Sequence, residues 1–147
     1  ISKKYFQKLR LKNLKYFGNL KFAQSELNKF HLDERLKKFI SKKKVWVASS
    51  THSGEEKVCG ITHQNLKKKY KNLLTIIIPR HTERTKEIIG TLNHKKLNYI
   101  CHSERKKVKK NTDIYLVDTY GESKSFYSVS KVVFLGGSLI RRGGQNP

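Results

Sequence analysis

The sequence is poor in several residue types, and each shortage narrows the class of protein. Methionine is absent and the chain begins with Ile1, which favours a segment of a longer protein. The cysteines are Cys59 and Cys101, and without a CxxC pair they fit a reducing compartment better than a disulfide scaffold. No run of about 18 or more apolar residues occurs, so no membrane-spanning helix is predicted. No signal peptide is visible at the start.

Acidic residues are also scarce, and the net charge is therefore extreme. The 147 residues include 33 Lys and Arg against 11 Asp and Glu, which gives a formal net charge of +22. A field of this sign should attract polyanions such as nucleic acid, anionic lipid surfaces or phosphorylated substrates. Lysines spread over solvated faces, without any partner, account for the excess equally well. Charge alone therefore names no partner.

Apolar residues gather in short dense runs from residue 45 onwards, where predicted strands alternate with predicted helices. The predicted strands cover residues 45–48, 73–78, 97–101, 113–117 and 132–135. Their alternation with helices predicts right-handed crossovers between parallel strands. All five sequences, including the last, are nearly all apolar, which predicts strands that are buried on both sides. The expected fold is α/β: a Rossmann-like parallel sheet with helices on both faces.

This pattern divides the chain into three parts. Residues 45–147 are interpreted as one domain. Residues 1–17 predict a short amphipathic helix, and residues 18–44 predict a linker followed by a second helix. Asp33 and Glu34 stand at the start of that second helix and lysines follow toward its end, as the helix dipole favours.

Two later helices begin with the spacing of a capping box. Ser53 stands three residues before Glu56, and Thr119 stands three residues before Glu122. Each hydroxyl and each carboxylate is expected to satisfy a free backbone N–H at the helix start.

The helix after residue 54 has an apolar side and a possible metal pair. Its expected buried face carries Val58, Ile61, Leu66 and Tyr70. Cys59 and His63 stand four residues apart on the same helix, but no third ligand stands at a readable spacing. A structural cysteine is the favoured interpretation, and no metal site is predicted.

Polar, turn-forming residues follow four of the predicted strands. These segments are residues 49–54, 79–82, 118–122 and 136–146. Because the carboxyl ends of parallel strands meet at one edge of a sheet, helix N-termini there would point backbone N–H groups at a shared crevice. Arg80, Arg141 and Arg142 lie in the same segments and suit bidentate pairing with phosphate or carboxylate. The predicted ligand is of the nucleotide type.

Other features limit this prediction. Neither GxGxxG nor GxxxxGK[ST] occurs, which counts against a dinucleotide oxidoreductase and a P-loop enzyme. Glu55 and Glu56 are explained as readily by their place in the first turn of a helix, and Gly121 by a turn alone. No nucleophile–base pair is visible, so no catalytic residue is predicted in this segment.

Five stretches resemble, in order, the Kdo transferases, the bacterial enzymes that move 3-deoxy-D-manno-octulosonic acid (Kdo) from CMP-Kdo onto lipid A precursors. The stretches are GNLKFA (18–23), ASSTHSGEE (48–56), IIPRHTER (77–84), DTYGE (118–122) and FLGGSLIRRGGQNP (134–147). The resemblance implies the GT-B architecture, with two Rossmann-like domains and a cleft between them. It identifies the chain as the C-terminal half, which binds the sugar nucleotide, with residues 1–17 as the tail of the preceding domain.

The resemblance also assigns roles to individual residues. The positions implied to approach the cytidine nucleotide are Pro79, Arg80, Gly121, Glu122 and Asn146. The positions implied to form the floor beneath the donor are Gly136, Gly137 and Ser138. The positions implied to face across the cleft are Ser53, Gly54 and Glu55.

The sequence departs from the family pattern in two places. The family continues past the Asn-Pro pair into a Leu-Glu-Pro segment whose glutamate is expected to hold the ribose, whereas this sequence ends at Pro147. Tyr120 stands where the family commonly has methionine, beside the expected nucleotide contact. The domain is therefore expected to be truncated at its C-terminus.

The resemblance implies a glycosyltransferase of lipopolysaccharide biosynthesis that uses CMP-Kdo as donor and a lipid A precursor, lipid IVA, as acceptor. The catalytic base is expected in the N-terminal domain, so this segment alone should be inactive. No cofactor and no metal are expected. The parent protein is expected at the cytoplasmic face of the bacterial inner membrane, on its anionic surface, and this segment is expected to be soluble.

Two other functions are alternatives. The charge favours a basic nucleic-acid-binding module, but Trp46, Phe126 and Phe134 lie in apparent core runs and no nucleic-acid-binding signature occurs, so no nucleic acid partner is expected. The second alternative is another sugar-nucleotide enzyme of the same fold.

Overall fold

A computed structural model of the chain describes residues 32–139. The predicted helix in residues 1–17, most of the predicted linker, and Arg141, Arg142 and Asn146 lie outside this range. The helices are α1 (Glu34–Ile40), α2 (Glu55–Lys69), α3 (Thr85–His94) and α4 (Ser123–Tyr127), with short 3-10 helices at Thr82–Arg84 and His102–Glu104. The strands are β1 (Lys44–Thr51), β2 (Leu73–Pro79), β3 (Tyr99–Cys101), β4 (Ile114–Leu116) and β5 (Val133–Leu135).

These strands form one sheet in the order β3-β4-β2-β1-β5, and every neighbouring pair is parallel. The predicted parallel α/β fold is therefore confirmed. Strand β2 lies at its centre and all seven of its residues are buried. A central parallel strand is covered on both sides, which is why LLTIIIP is apolar almost throughout.

Helices cover both faces of the sheet, as predicted. Leu36 and Ile40 of α1 pack with Phe126 of α4 in one core cluster. Ile88 and Leu92 of α3 pack with Cys59 of α2 in the other core cluster. Successive residues of a strand point to opposite faces of the sheet. Alternate side chains of each buried strand therefore belong to the two different clusters. Helix α1 thus contributes to the core of the domain rather than only leading into it.

Helix α2 buries a different face from the predicted one. Val58 and Ile61 are 44% and 39% exposed, whereas Cys59, Gly60 and His63 are buried. A Cβ atom at residue 60 would lie only 3.2 Å from the Leu97 side chain, so close packing requires a small residue here. The predicted buried face of α2 was wrong. Gly60, which packs against Leu97, and His63, which bonds Thr75 and Asp113, lie on the side of α2 that meets the sheet.

The last strand is also less buried than predicted. Val133 and Leu135 of β5 are 45% and 37% exposed, and Val132 is 60% exposed. Among the described strands, β5 is an edge strand and pairs with β1 alone. An apolar sequence does not distinguish a central strand from an edge strand, and that is why this prediction failed.

A buried polar network lies where α2 crosses β2. His63 Nδ1 is 2.8 Å from Thr75 Oγ1, and His63 Nε2 is 3.3 Å from Asp113 Oδ1. Asp113 also accepts hydrogen bonds from Lys67 and from the backbone N–H of Asn98. These partners satisfy the polar side chains of this network, as buried groups require. Within residues 32–139, no three His, Cys, Asp or Glu side chains could together hold a metal ion.

The buried histidine predicts a loss of stability in acid. Burial, and to a smaller degree Lys67, lowers the pKa of His63 to about 4. The unfolded chain binds this proton near pH 6.5, so stability present above that pH is lost as the pH falls toward 4. The expected loss is about 3 kcal/mol in the free energy of unfolding. Urea denaturation between pH 7 and pH 4 measures it.

His63→Gln is the control for this prediction, because glutamine keeps hydrogen-bonding capacity but does not titrate. Its stability should fall much less steeply over the same pH range, whatever its stability at pH 7. Equal slopes in the two proteins would assign the pH dependence to other groups.

No helix among residues 32–139 has the length and hydrophobicity needed to cross a membrane. Both cysteines are buried and free. Burial, followed by the charges of Glu56 and Glu55, raises the pKa of Cys59 to about 12, so this thiol is a structural group rather than a nucleophile.

Candidate functional site

The carboxyl ends of the parallel strands meet at one edge of the sheet, as the sequence predicts. The loops after β4, β2, β1 and β5 lie side by side there, in the order of the strands. Hydrogen bonds link them. The backbone N–H of Arg80 donates to Thr51 O at 2.9 Å, and that of Gly136 donates to Ser49 O at 2.7 Å. Tyr120 Oη donates to Glu83 Oε1 at 2.8 Å.

The loop after β1 turns at Gly54, whose φ of +91° lies in the left-handed region. Gly54 is the N-cap of α2, and no side chain caps this helix. Ser53 Oγ instead donates to Glu87 Oε1 at 3.0 Å. The predicted capping box of Ser53 and Glu56 is therefore wrong, since both side chains have partners in another element.

Glu55 is buried, with 1% exposure, and holds the loop after β5. Its carboxylate accepts the backbone N–H of Gly137 at 2.8 Å, that of Leu139 at 3.2 Å and that of His52 at 2.9 Å. A carboxylate in the first turn of α2 is also favoured by the helix dipole. Glu55 therefore fixes two loops at the rim, and its carboxylate already occupies donors that an anion would otherwise meet.

Glu56 joins the loop after β1 to the start of α3. Arg84 donates to its two carboxylate oxygens at 3.0 and 3.1 Å, and Thr51 Oγ1 donates to it at 2.8 Å. Arg84 also bonds Glu87 at 3.0 Å. Hydrogen bonds with Glu87 and then Glu56 raise the pKa of Arg84, so its guanidinium stays charged. Sequence reasoning did not single out Arg84, although its spacing from Glu87 is that of a helical ion pair.

The loop after β2 presents the predicted pair Pro79 and Arg80. Pro79 is the buried last residue of β2 and lies opposite Thr51 in the register with β1. Arg80 is exposed, and among the described residues its guanidinium has no hydrogen-bond or ion-pair partner. A free guanidinium beside a rigid strand end is suited to a phosphate or carboxylate.

The loop after β4 contains Gly121 in the left-handed region, at φ +86°, and then Glu122. The Glu122 carboxylate accepts from Thr119 Oγ1 and lies 3.1 Å from His102 Nε2. Glu122 is the N-cap of α4 but makes no side-chain capping bond. The second predicted capping box is therefore wrong too: the two side chains bond each other rather than the backbone. His102 is a neighbour that no sequence pattern indicated.

The loop after β5 carries the predicted floor residues. Gly136 and Gly137 are buried, and Gly137 has a φ of +85°. Ser138 Oγ donates to Leu135 O at 3.0 Å and closes the turn. The register of β1 shifts between Ser49 and Thr51, and Gly136 packs closely against this irregularity. A Cβ atom on residue 136 would lie 2.3 Å from Ser50 O. Asn146 lies outside the described residues.

The rim therefore has a rigid, hydrogen-bonded base and few free charges. Glu55, Glu56 and Glu87 are held by partners at the rim, whereas Arg80 remains open to solvent. Such a site can hold an anion through an arginine and through loop backbone, and it contains no nucleophile–base pair among the described residues.

Comparison with known proteins identifies relatives of this chain, although no family model matches it. A 3-deoxy-D-manno-octulosonic acid transferase of Haemophilus influenzae is 36% identical over 137 residues, which cover 88% of this chain and 31% of that protein. A probable mitochondrial 3-deoxy-D-manno-octulosonic acid transferase of Arabidopsis thaliana is 35% identical over 135 residues, or 86% of this chain and 30% of that protein. The chain thus spans about a third of the length of these curated relatives.

A solved structure matches the fold. The C-terminal CMP-Kdo binding domain of WaaA from Acinetobacter baumannii superposes with a TM-score of 0.67 and 28% identity, and the match covers 77% of this chain and 58% of that domain. The relatives found by sequence and the domain found by structure are thus all named for the same sugar, Kdo.

Proposed function

Because this chain belongs to the family of 3-deoxy-D-manno-octulosonic acid transferases, we propose that it forms the part of a Kdo transferase that binds the donor, CMP-Kdo. The parent protein would be a glycosyltransferase. The proposal covers the donor site alone, since the chain matches about a third of its relatives.

One observation carries this proposal. Four loops with the predicted donor residues lie side by side at one rim of the same fold as a CMP-Kdo binding domain. Of these residues, Arg80 combines exposure with a free guanidinium, and its backbone N–H is fixed by a hydrogen bond to Thr51 O at the end of β1. We therefore assign Arg80 to the phosphate of the cytidine nucleotide. Gly121 and Glu122 would contact the nucleotide from the next loop, and Gly136–Ser138 would lie beneath the donor.

The chemistry of transfer follows from these roles. A base outside this segment would remove the proton of an acceptor hydroxyl as its oxygen bonds the sugar. The bond between the sugar and the phosphate oxygen would break, and CMP would leave with the electron pair. Arg80 would stabilise the negative charge on that phosphate, which is commonly the largest contribution in such sites. The proposal needs no metal or other cofactor in this segment, because a guanidinium and backbone N–H groups suffice for the anion.

The acceptor and the location are part of the same proposal. We infer that the acceptor is a lipid A precursor such as lipid IVA, in lipopolysaccharide biosynthesis at the cytoplasmic face of the inner membrane. The net charge of +22 supports this, because each lysine or arginine near an anionic bilayer adds about 1 kcal/mol of attraction.

Arg80→Ala tests the assignment of the phosphate contact. Loss of a charge-assisted hydrogen bond to phosphate should weaken CMP binding about 10- to 100-fold. The melting temperature should not change, since the backbone N–H of residue 80 still donates to Thr51 O. Isothermal titration calorimetry with CMP measures the affinity.

Lys86→Ala is the matched control, because it removes an exposed positive charge from the nearby α3. It should change CMP affinity less than about twofold, as expected for a screened surface charge. Equal CMP affinity in the wild type and Arg80→Ala would count against the proposed function. So would tight, salt-sensitive binding of an RNA oligonucleotide that CMP does not displace, the behaviour of a nucleic-acid-binding module.

A further inference from the structure

A cavity of about 690 Å³ lies on the face of the sheet that α1 and α4 cover. Its apolar part includes Leu36 and Phe39 of α1, Val108 from the loop after β3, and Tyr115 of β4. Leu36 and Tyr115 are buried, and the other two are half-buried. Cavities of this size are typical of small-molecule sites.

The outer part of this cavity is cationic. Its positively charged lining residues are Arg35, Lys38, Arg105, Lys106 and Lys107. All five are exposed, whereas the apolar lining residues are buried or half-buried. The charged side chains therefore surround the opening of the cavity to solvent, called the mouth below. Lys106 pairs with Glu104 at 3.3 Å. The side chains of the other four bond to none of the described residues.

The acidic lining residues do not neutralise these cations. Asp33 accepts the backbone N–H groups of Arg35 and Leu36 at 3.0 and 3.1 Å, as the N-cap of α1. Glu122 is held by Thr119 and His102. Neither carboxylate forms an ion pair with a lining cation. Five cations against two carboxylates leave the lining with a net positive charge.

The inner wall is polar and fixed in orientation. His102 Nδ1 is 2.8 Å from Tyr115 Oη, and its Nε2 is 3.2 Å from Glu122 Oε1. Burial and the Glu122 carboxylate raise the pKa of Tyr115, so its O–H stays protonated. The two contacts suit an arrangement in which the Tyr115 O–H donates to His102 Nδ1 and the His102 Nε2–H donates to Glu122. The ring also packs edge-on against Phe126, at 5.6 Å between ring centroids.

We propose that this cavity binds a phosphomonoester that carries an apolar group, with the phosphate between the cations at the mouth and the apolar group against Leu36, Phe39 and Tyr115. Arginine and lysine around a partly enclosed apolar cavity suit an amphiphilic anion, and arginine binds phosphate through paired hydrogen bonds. Arg80 and the loop after β5 do not line this cavity, and Glu122 is the one proposed donor residue that the two sites share. The cations at the mouth therefore lie apart from Arg80.

Calorimetry with three probes and the 147-residue chain tests this site. The probes are inorganic phosphate, CMP and a short-chain phosphatidate below its critical micelle concentration. Phosphatidate should bind at least about tenfold more tightly than inorganic phosphate, because only phosphatidate can bury an apolar group. Saturating CMP should leave phosphatidate affinity unchanged. Equal binding of phosphate and phosphatidate would show a plain anion site and overturn the apolar part of the proposal.

A pair of double variants locates the site. Arg105→Glu with Lys107→Glu should weaken phosphatidate binding at least about tenfold. Lys109→Glu with Lys110→Glu makes the same change of net charge on the same loop, outside the cavity lining, and should weaken it less than about twofold. If the two double variants lost phosphatidate affinity equally, the effect would come from the overall positive charge of the protein rather than from this cavity, and the proposal would be overturned. Displacement of phosphatidate by CMP, or by an RNA oligonucleotide, would overturn it as well.

Discussion

Gly136→Ala should cause the largest loss of stability of any single methyl addition at the rim. The new Cβ atom would lie 2.3 Å from Ser50 O, 2.6 Å from Thr51 Cα and 2.7 Å from Ser50 C. These are backbone atoms at the irregularity in β1, and they cannot move without breaking the pairing of β1 with β2 and β5. The expected loss is about 3 kcal/mol or more in the free energy of unfolding. Urea denaturation followed by circular dichroism measures it.

Gly90→Ala is the control for this result. Gly90 lies inside α3, and a Cβ atom there would meet no atom within 4 Å. Alanine is the better helix former, so this variant should gain about 0.5–1 kcal/mol. If Gly136→Ala kept wild-type stability, the close approach of the loop after β5 to β1 would be wrong.

Glu55→Gln should release the loop after β5 and weaken the donor site. The buried carboxylate accepts three backbone N–H groups, including those of Gly137 and Leu139. An amide offers one oxygen and places an N–H₂ group against a backbone donor, which leaves buried groups unsatisfied. We expect a loss of about 2–4 kcal/mol in stability and weaker CMP binding. Hydrogen exchange at the Gly137 and Leu139 amides reports the release directly.

Glu104→Gln is the matched control, because it makes the same chemical change at an exposed glutamate that pairs with Lys106. It should change stability by less than about 0.5 kcal/mol and leave both amides as protected as in the wild type. Unchanged protection of Gly137 and Leu139 in Glu55→Gln would mean that the carboxylate does not hold this loop.

The architecture could be predicted from the sequence because it depends on periodicity. The run LLTIII at residues 73–78 predicts a buried parallel strand, and it forms the centre of the sheet. Ile88 and Leu92 stand four residues apart, and both point into the core. The rim could be predicted as well, because parallel strands bring their carboxyl ends together whatever their order in the sheet.

The details that failed depend on partners far apart in the chain. The spacing of Ser53 and Glu56 is compatible with a capping box, but Arg84 stands 28 residues after Glu56 and offers it a bidentate ion pair. Glu55 bonds Gly137 across 82 residues, which no local pattern reveals. The exposure of β5 depends on its place in the sheet order, and that order is set by packing rather than by the strand's own residues.

Amide chemical shifts of the isotope-labelled chain during a titration with CMP give the most direct test of the central claim. The donor-site proposal predicts saturable shifts concentrated in residues 79–82, 119–122 and 136–138, with little change in α1 and in the loop at residues 104–110. Shifts centred instead on Arg35, Arg105 and Lys107, or an absence of saturable shifts, would contradict the assignment of the nucleotide to the rim.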